Sequence, residues 1–497
     1  MSLAHPAIRI PPRSVQAETL LGISMWHDPL VSRTLSSLQS CFFGAAFLSA
    51  SLSAIVYPQT PALAAHRMPH TAKIYTPDLN VLQQAQAKAL TTGDTSVIAA
   101  TSRALATDIL GRLALLAQLR DDTATAADLR KKARLLQGAS EEAPSSTITG
   151  ATTPPTPSTK SAATQPRPPT VSESDLKQLL AQTYNDLGTA EARQGQFAAA
   201  QTHFEEAVHS AAPTPTLLRN LGTAAFRVGD FATAVRAFSQ YLQPTPLAAP
   251  ITDPRSQLMY ALSLFSTGDF ATAARAFKPV ETDAMRDPRS AYSWAFSLSH
   301  SGDPRQANAI AAQLSLQPLP PSVLSLVCHI FMDTESYGES AECFRKISAA
   351  DPTFPLAHYQ VAESLIRTDK PADAIPELRQ ELALSPDDPN VQYSLAFALL
   401  QTSNKPEALK LLSTITATHP DMAQPQYQYG KLLLESADLP GAISHLEQAE
   451  KADASLDYIH YQLQAAYRKA GRTADADREA RLYREIKSRH RDAPSPR

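Results

Sequence analysis

From about Ala181 onward the chain repeats itself every 34 residues, and prolines mark the joints. Pro215, Pro254, Pro288, Pro321, Pro355 and Pro389 stand 39, 34, 33, 34 and 34 residues apart. A single globular core needs no such rule. A stack of like helical hairpins does, because each hairpin must meet its neighbour in the same way. Units begin near Ala181, Pro215, Pro254, Pro288, Pro321, Pro355, Pro389, Ala423 and Asp457. This register predicts an all-α chain built as a binding surface rather than as a reaction centre.

Aligned in this way, the units share side chains at fixed places. Position 8 holds small residues such as Gly188, Gly222, Ala261, Ala362 and Gly430, and position 20 holds Ala200, Ala234, Ala273, Ala374 and Ala442. Position 24 holds large plugs, among them Phe204, Phe238, Phe277, Phe344 and Leu412. Small residues let two helices approach, and the plugs fill the space between hairpins. Position 15 is Gly195, Gly229, Gly268, Gly302 or Gly471, residues that accept the left-handed backbone of a helix end. The leading prolines suit a first helical turn, with Thr214, Asp253, Asp287 and Asp388 placed to cap it. Two departures stand out: Ala311 and Ala480 replace the plug, and Glu381 is charged where position 27 is usually apolar.

Small residue at 8, Gly at 15, Ala at 20, aromatic at 24 and Pro at 32 resembles the tetratricopeptide repeat. The unit Leu221-Gly222…Phe226…Gly229-Asp230-Phe231…Ala234…Phe238…Pro246 carries the pattern best. The resemblance covers about residues 181–490 and implies a right-handed α-solenoid of antiparallel helix hairpins, about nine units over 178–490. In the last unit Gln464 replaces the small residue, and the second helix is densely charged, as a solvated terminal cap requires.

The resemblance also implies that positions 2, 5, 6, 9, 12 and 13 of the first helices line a concave groove. Position 5 reads Tyr292, then Tyr359, Tyr393, Tyr427 and Tyr461, the last four forming a ladder. Gln360, Ser394, Gln428 and Gln462 follow them, and Phe397 and Lys431 occupy position 9. These residues are the candidate partner-binding set, with Tyr393 and Tyr427 at its centre; Tyr in such repeats also serves packing, and both readings stand here. Some members of the family bind C-terminal carboxylates through Lys, Arg and Asn in the groove. Asn220 and Arg255 sit suitably, but Asn185 and Thr189 depart from the required set. Chaperone-tail binding is therefore not expected.

The rest of the chain frames the repeats. Residues 1–64 are expected to hold an N-terminal extension and a secretory signal or membrane anchor. Arg33 precedes an apolar, uncharged run from Cys41 to Tyr57, and Ala62-Leu63-Ala64 offers a cleavage site. The long lead before that run points to Met25 as the start. Residues 76–137 read as a helical segment, a degenerate repeat at most, and 138–174 as a disordered Pro/Ser/Thr-rich linker. Residues 491–497 read as a disordered tail. The location expected is periplasmic or cell-envelope, with any membrane contact only through the N-terminal segment.

At 497 residues the chain is too long for one ordinary core. A net charge of −3 gives no electrostatic case for nucleic acid. Three cysteines exclude a disulfide framework and a Cys-only zinc site. Cys328 and Cys343, in one hairpin, pair only if their Cα atoms fall within about 7 Å. No H-E-x-x-H, G-x-x-x-x-G-K-[ST] or G-x-S-x-G occurs. His358 and His460 share a unit position but lie three units apart. No enzyme activity, metal or cofactor is expected. The leading expectation is a non-catalytic scaffold of the cell envelope that holds a protein or peptide. The alternative is an accessory subunit of polysaccharide synthesis or export that binds carbohydrate or an enzyme partner.

Overall fold

The computed structural model describes residues 79–138, 172–243 and 252–492. The expectations for residues 1–64, for 139–171 of the linker and for 493–497 of the tail lie outside these residues. Among the described residues all regular structure is helical.

Three helices come first: α1 (Leu79–Thr92), α2 (Thr95–Gln118) and α3 (Thr123–Leu136). Nine hairpins follow, one for each unit of the register. They are α4 (Glu173–Arg193) with α5 (Phe197–Ser210), α6 (Pro215–Val228) with α7 (Phe231–Leu242), and α8 (Pro254–Ser266) with α9 (Phe270–Phe277). A 3-10 turn (Lys278–Val280) and the short α10 (Glu281–Ala284) lead to α11 (Pro288–Ser301) and α12 (Pro304–Leu314). Then come α13 (Pro321–Asp333) with α14 (Tyr337–Ala350), and α15 (Ala357–Arg367) with α16 (Pro371–Leu384). The last three pairs are α17 (Pro389–Gln401) and α18 (Lys405–Thr418), α19 (Ala423–Glu435) and α20 (Leu439–Ala452), and α21 (Asp457–Lys469) and α22 (Thr473–Asp492). Through the nine hairpins successive long helices pack on one another, so the hairpins stack as an α-solenoid.

Local chemistry sets the joints. Pro215, Pro254, Pro288, Pro321 and Pro389 each open a helix, where a missing N–H costs nothing. Thr214, Asp253, Asp287 and Asp388 cap four of them by accepting from backbone N–H groups. Pro355 departs from the expectation. Helix α15 starts only at Ala357, because Leu356 takes a left-handed backbone (φ 63°). The reason is Glu381, whose carboxylate accepts from the backbone N–H of Leu356 (2.9 Å) and of Tyr359 (3.3 Å). The charge that looked out of place at position 27 is fully buried and caps the next-door helix.

The turn at position 15 is a property of the hairpin rather than of glycine. Gly229 has φ 92°, and Glu335, Asp369, Ser403 and Ala437 keep φ between 58° and 66° at the same position. The residue after it often caps the second helix, as Asp230, Asp269, Asp303 and Asp438 do. Gly93-Asp94 and Asp121-Asp122 use the same device between α1, α2 and α3.

Between paired helices the core is a repeated contact. Phe204, Phe238, Phe277 and Phe344 are at most 1 % exposed. Each contributes about 1.5–3 kcal/mol of burial. Phe238 lies so close to Gly222 that a Cβ there would stand 2.8 Å from its ring. Helices α1–α3 extend this core at its N-terminal end. Leu105, Ile109, Leu110 and Leu113 of α2 join Leu176, Leu180 and Tyr184 of α4. Gln86 donates to Asp186 (2.9 Å), and Arg103 and Lys132 pair with Glu191 and Glu206 (2.8 Å each).

Candidate interaction groove

The tyrosine ladder is built into the joints between units, and its rungs differ. Tyr393 is 7 % exposed and Ser394 3 %, whereas Tyr461 is 54 % exposed. Tyr292, Tyr359, Gln360, Phe397, Tyr427, Gln428, Lys431 and Gln462 are half-buried. Position 5 of one unit faces position 6 of the next, 35 residues on. Asn220 donates to Asn185 (3.1 Å) in this slot. Ser394 acts on Tyr359, and Gln462 on Tyr427. Gln428 lies beside Tyr393, yet no hydrogen bond of normal geometry closes, and the Tyr393 hydroxyl is buried without a partner. Thus Ser394 and Gln462 link successive first helices, Gln428 occupies the same slot without closing a bond, and Tyr393 and Ser394 offer no open face.

Ser394 also donates to Glu363 (2.7 Å), a carboxyl that burial holds above its usual range. Burial raises Tyr359, Tyr393 and Tyr427 as well, and pushes Tyr458 up to about 12. Tyr458 accepts from Gln424 and meets Tyr427 edge-on at 4.6 Å. These phenols stay protonated at any physiological pH and can donate.

A second slot joins position 13 of one unit to position 17 of the unit before. Arg227 stacks over Phe197 at 4.9 Å and Arg367 over Tyr337 at 5.4 Å. His300 meets Phe270 at 5.3 Å, and Lys405 pairs with Glu435 at 2.9 Å. A third slot lies inside each hairpin, between positions 4 and 23. It holds His358 with Glu377 (2.6 Å), His445 with Gln426 (2.7 Å) and His460 with Glu479 (2.7 Å). Glu450, His460 and Glu479 bring ligand-type atoms within 4.8 Å of one another. Two of the three residues are already engaged. His460 engages Glu479 through Nδ1 and the Ala454 carbonyl through Nε2 (3.0 Å), and Arg478 donates to Glu479 (3.0 Å).

Sequence reasoning missed a ring cluster in the middle of the solenoid. Phe265, Phe270, Tyr292 and Phe296 are half-buried and His300 is exposed. Phe296 lies 5.7 Å from Phe265, 5.2 Å from Phe270 and 5.9 Å from Tyr292, and stacks on His300 at 4.1 Å. The signal was present: aromatics at positions 12 and 17 of one unit and at 5 and 9 of the next. Cys328 and Cys343 form a disulfide across one hairpin, with Cα atoms 5.5 Å apart.

A stack of nine hairpins with constant inter-unit slots defines a helical-repeat protein whose stacked units form a protein-interaction scaffold. Tetratricopeptide repeat family models match residues 185–249, 329–389 and 365–432, so these stretches of the chain carry tetratricopeptide repeats. No curated protein sequence matches it. Among solved structures, MamA from Desulfovibrio magneticus RS-1 is 16 % identical, over 34 % of this chain and 97 % of that one, with a TM-score of 0.31. The C-terminal part of a TPR repeat-containing protein from Cytophaga hutchinsonii is 12 % identical, over 47 % and 94 %, at 0.36. A human IFIT1 dimer with PPP-AAAA is 13 % identical, over 77 % and 94 %, at 0.29.

Proposed function

We propose that this protein is a non-catalytic scaffold of the cell envelope that holds a protein or peptide along the face of its first helices. One observation carries the reading. Successive first helices are tied to each other by side-chain slots, so they present a single preformed surface, and half-buried rings remain on it. A preformed surface lowers the ordering cost of binding. Two features support an extracytoplasmic location. Residues 41–57 have the composition of an export signal, and Cys328 is bonded to Cys343, a bond that persists in oxidising compartments.

Affinity capture from envelope fractions tests the scaffold reading. A stoichiometric protein partner is expected; retention on a glycan matrix alone would replace it with the carbohydrate-binding alternative. Intact mass with thiol alkylation tests the location. The expected product begins near Ala65 and has no alkylatable thiol at residues 328 and 343.

A further inference from the structure

We propose, resting on the scaffold reading, that the main docking site is the central groove along α6, α8 and α11. Its partner would be an acidic peptide segment carrying one aromatic or large aliphatic side chain. The apolar side chain would seat on the Phe265–Tyr292–Phe296 cluster, and flanking Asp or Glu side chains would pair with Arg219 and Arg255.

The charge pattern points to the sign of the partner. On the first helices of the first four hairpins, positions 2, 5, 6, 9, 12 and 13 carry Arg193, Arg219, Arg227, Arg255 and Arg289. The one acid among these positions is Asp186, already engaged by Gln86 and Gln182. Arg193, Arg219 and Arg255 are exposed, and none of them closes an ion pair with a described carboxylate. Arg227 lies over Phe197, and Arg219 acts on Tyr241 and on Asp253, a carboxylate held in its cap by Ser256 and Tyr241. In the last five hairpins the same positions hold Asp333, Glu363 and Glu435 against Arg367, Lys431, Arg468 and Lys469. The positive bias is therefore local, on a chain whose net charge is −3. Arg pairs well with planar carboxylates.

Helical spacing puts the charges and rings on one face. Arg255, Leu258, Leu262 and Phe265 follow one another at three- and four-residue steps, as do Arg289, Tyr292, Phe296 and His300. The ring contacts join α8 to α11 directly. The rings pack edge to face, at 78° and 89° for Phe265 with Tyr292 and Phe296, and His300 covers one face of Phe296. Rings packed in this way offer no run of open faces for stacked bases, which favours peptide over single-stranded nucleic acid.

The test uses the mature chain and fluorescence anisotropy. The probe is a peptide of about 12 residues, long enough to reach roughly 40 Å when extended, with one Phe flanked by Asp and Glu and with its C-terminus amidated, so that no terminal carboxylate contributes. Controls replace the acids by Lys, replace Phe by Gly, or use oligo-uridine. Salt-sensitive binding of the acidic Phe peptide alone is expected. Arg219→Glu with Arg255→Glu should weaken it at least about tenfold, with the helical signal unchanged because both residues are exposed, and Phe296→Ala should do likewise. Equal binding of the Lys peptide, no binding, tighter binding of oligo-uridine, or indifference to the double reversal would overturn the proposal. If envelope capture still yields a partner that the double reversal does not release, the scaffold reading stands and this site does not. If no partner is captured at all, the scaffold reading itself falls.

Discussion

The hairpins around Pro254 and Pro288 and those from Pro355 onward place aromatic rings at the same register positions and put them to different use. In the central pair, Tyr292 meets Phe265 and Phe296, and the cluster stays half open. In the later units Tyr359, Tyr393 and Tyr427 turn to the polar side chain one unit on, and Tyr393 disappears into the joint. The difference lies in position 6 of the following unit. After Tyr292 it is Leu326, which cannot bond a phenol; after the later tyrosines it is Ser394, Gln428 or Gln462. A ring's role is thus decided one unit away.

The comparison can be broken most directly at Tyr393. Tyr393→Ala should cost about 3 kcal/mol in denaturant unfolding, as for other large buried side chains, and Tyr461→Ala less than about 0.5 kcal/mol. Equal losses would mean that the two rungs do not differ. Between the two regions, Cys328→Ala with Cys343→Ala should cost about 3 kcal/mol, the value for a loop of this size; no shift in the unfolding midpoint on reduction would deny the bond any part in stability. Glu381→Ala should cost about 2 kcal/mol by leaving two N–H groups at the start of α15 unpaired, read as faster amide exchange at Leu356 and Tyr359. Tyr393→Phe should go the other way, gaining up to about 1 kcal/mol because its hydroxyl is buried without a partner; a loss would show that Gln428 bonds it after all.

The smallest effect concerns the N-terminal end, where burial pushes Asp186 up to about 6 from 3.8. A folded value above the unfolded one favours folding fully below the unfolded value, and that contribution is lost as pH rises through about 6. Asp186→Asn should flatten the dependence of α1–α3 docking on pH between about 4 and 6, followed by amide exchange in α2. An unchanged profile would place the titration elsewhere.

Much of the fold was legible because its determinants are local and periodic. Prolines with their caps, the left-handed turn and the Phe238–Gly222 contact recur within one unit, so aligning units reveals them. Glu381 was legible only as an anomaly, since its partners are backbone N–H groups 22 and 25 residues back. The late start of α15 follows from that same contact. The groove was less legible, because whether a position-5 ring is open depends on a neighbour in the next unit. The block α1–α3 lacks the size pattern at positions 8, 20 and 24, and Gln86 and Ser102 face each other there by hydrogen bond instead (3.2 Å).

From Pro321 onward the link between units is a constant 35 residues, and this has a consequence for cutting and splicing. Removing residues 389–422, one whole unit of 34 residues, would bring Tyr359 opposite Gln428, another polar side chain of the kind the later tyrosines meet. Such a chain should close without a scar, one hairpin shorter. Removing 33 or 35 residues would instead put Tyr359 out of phase with its new mate at the junction, so the evenly spaced units from Pro321 onward should tolerate changes of length in whole units better than in single residues.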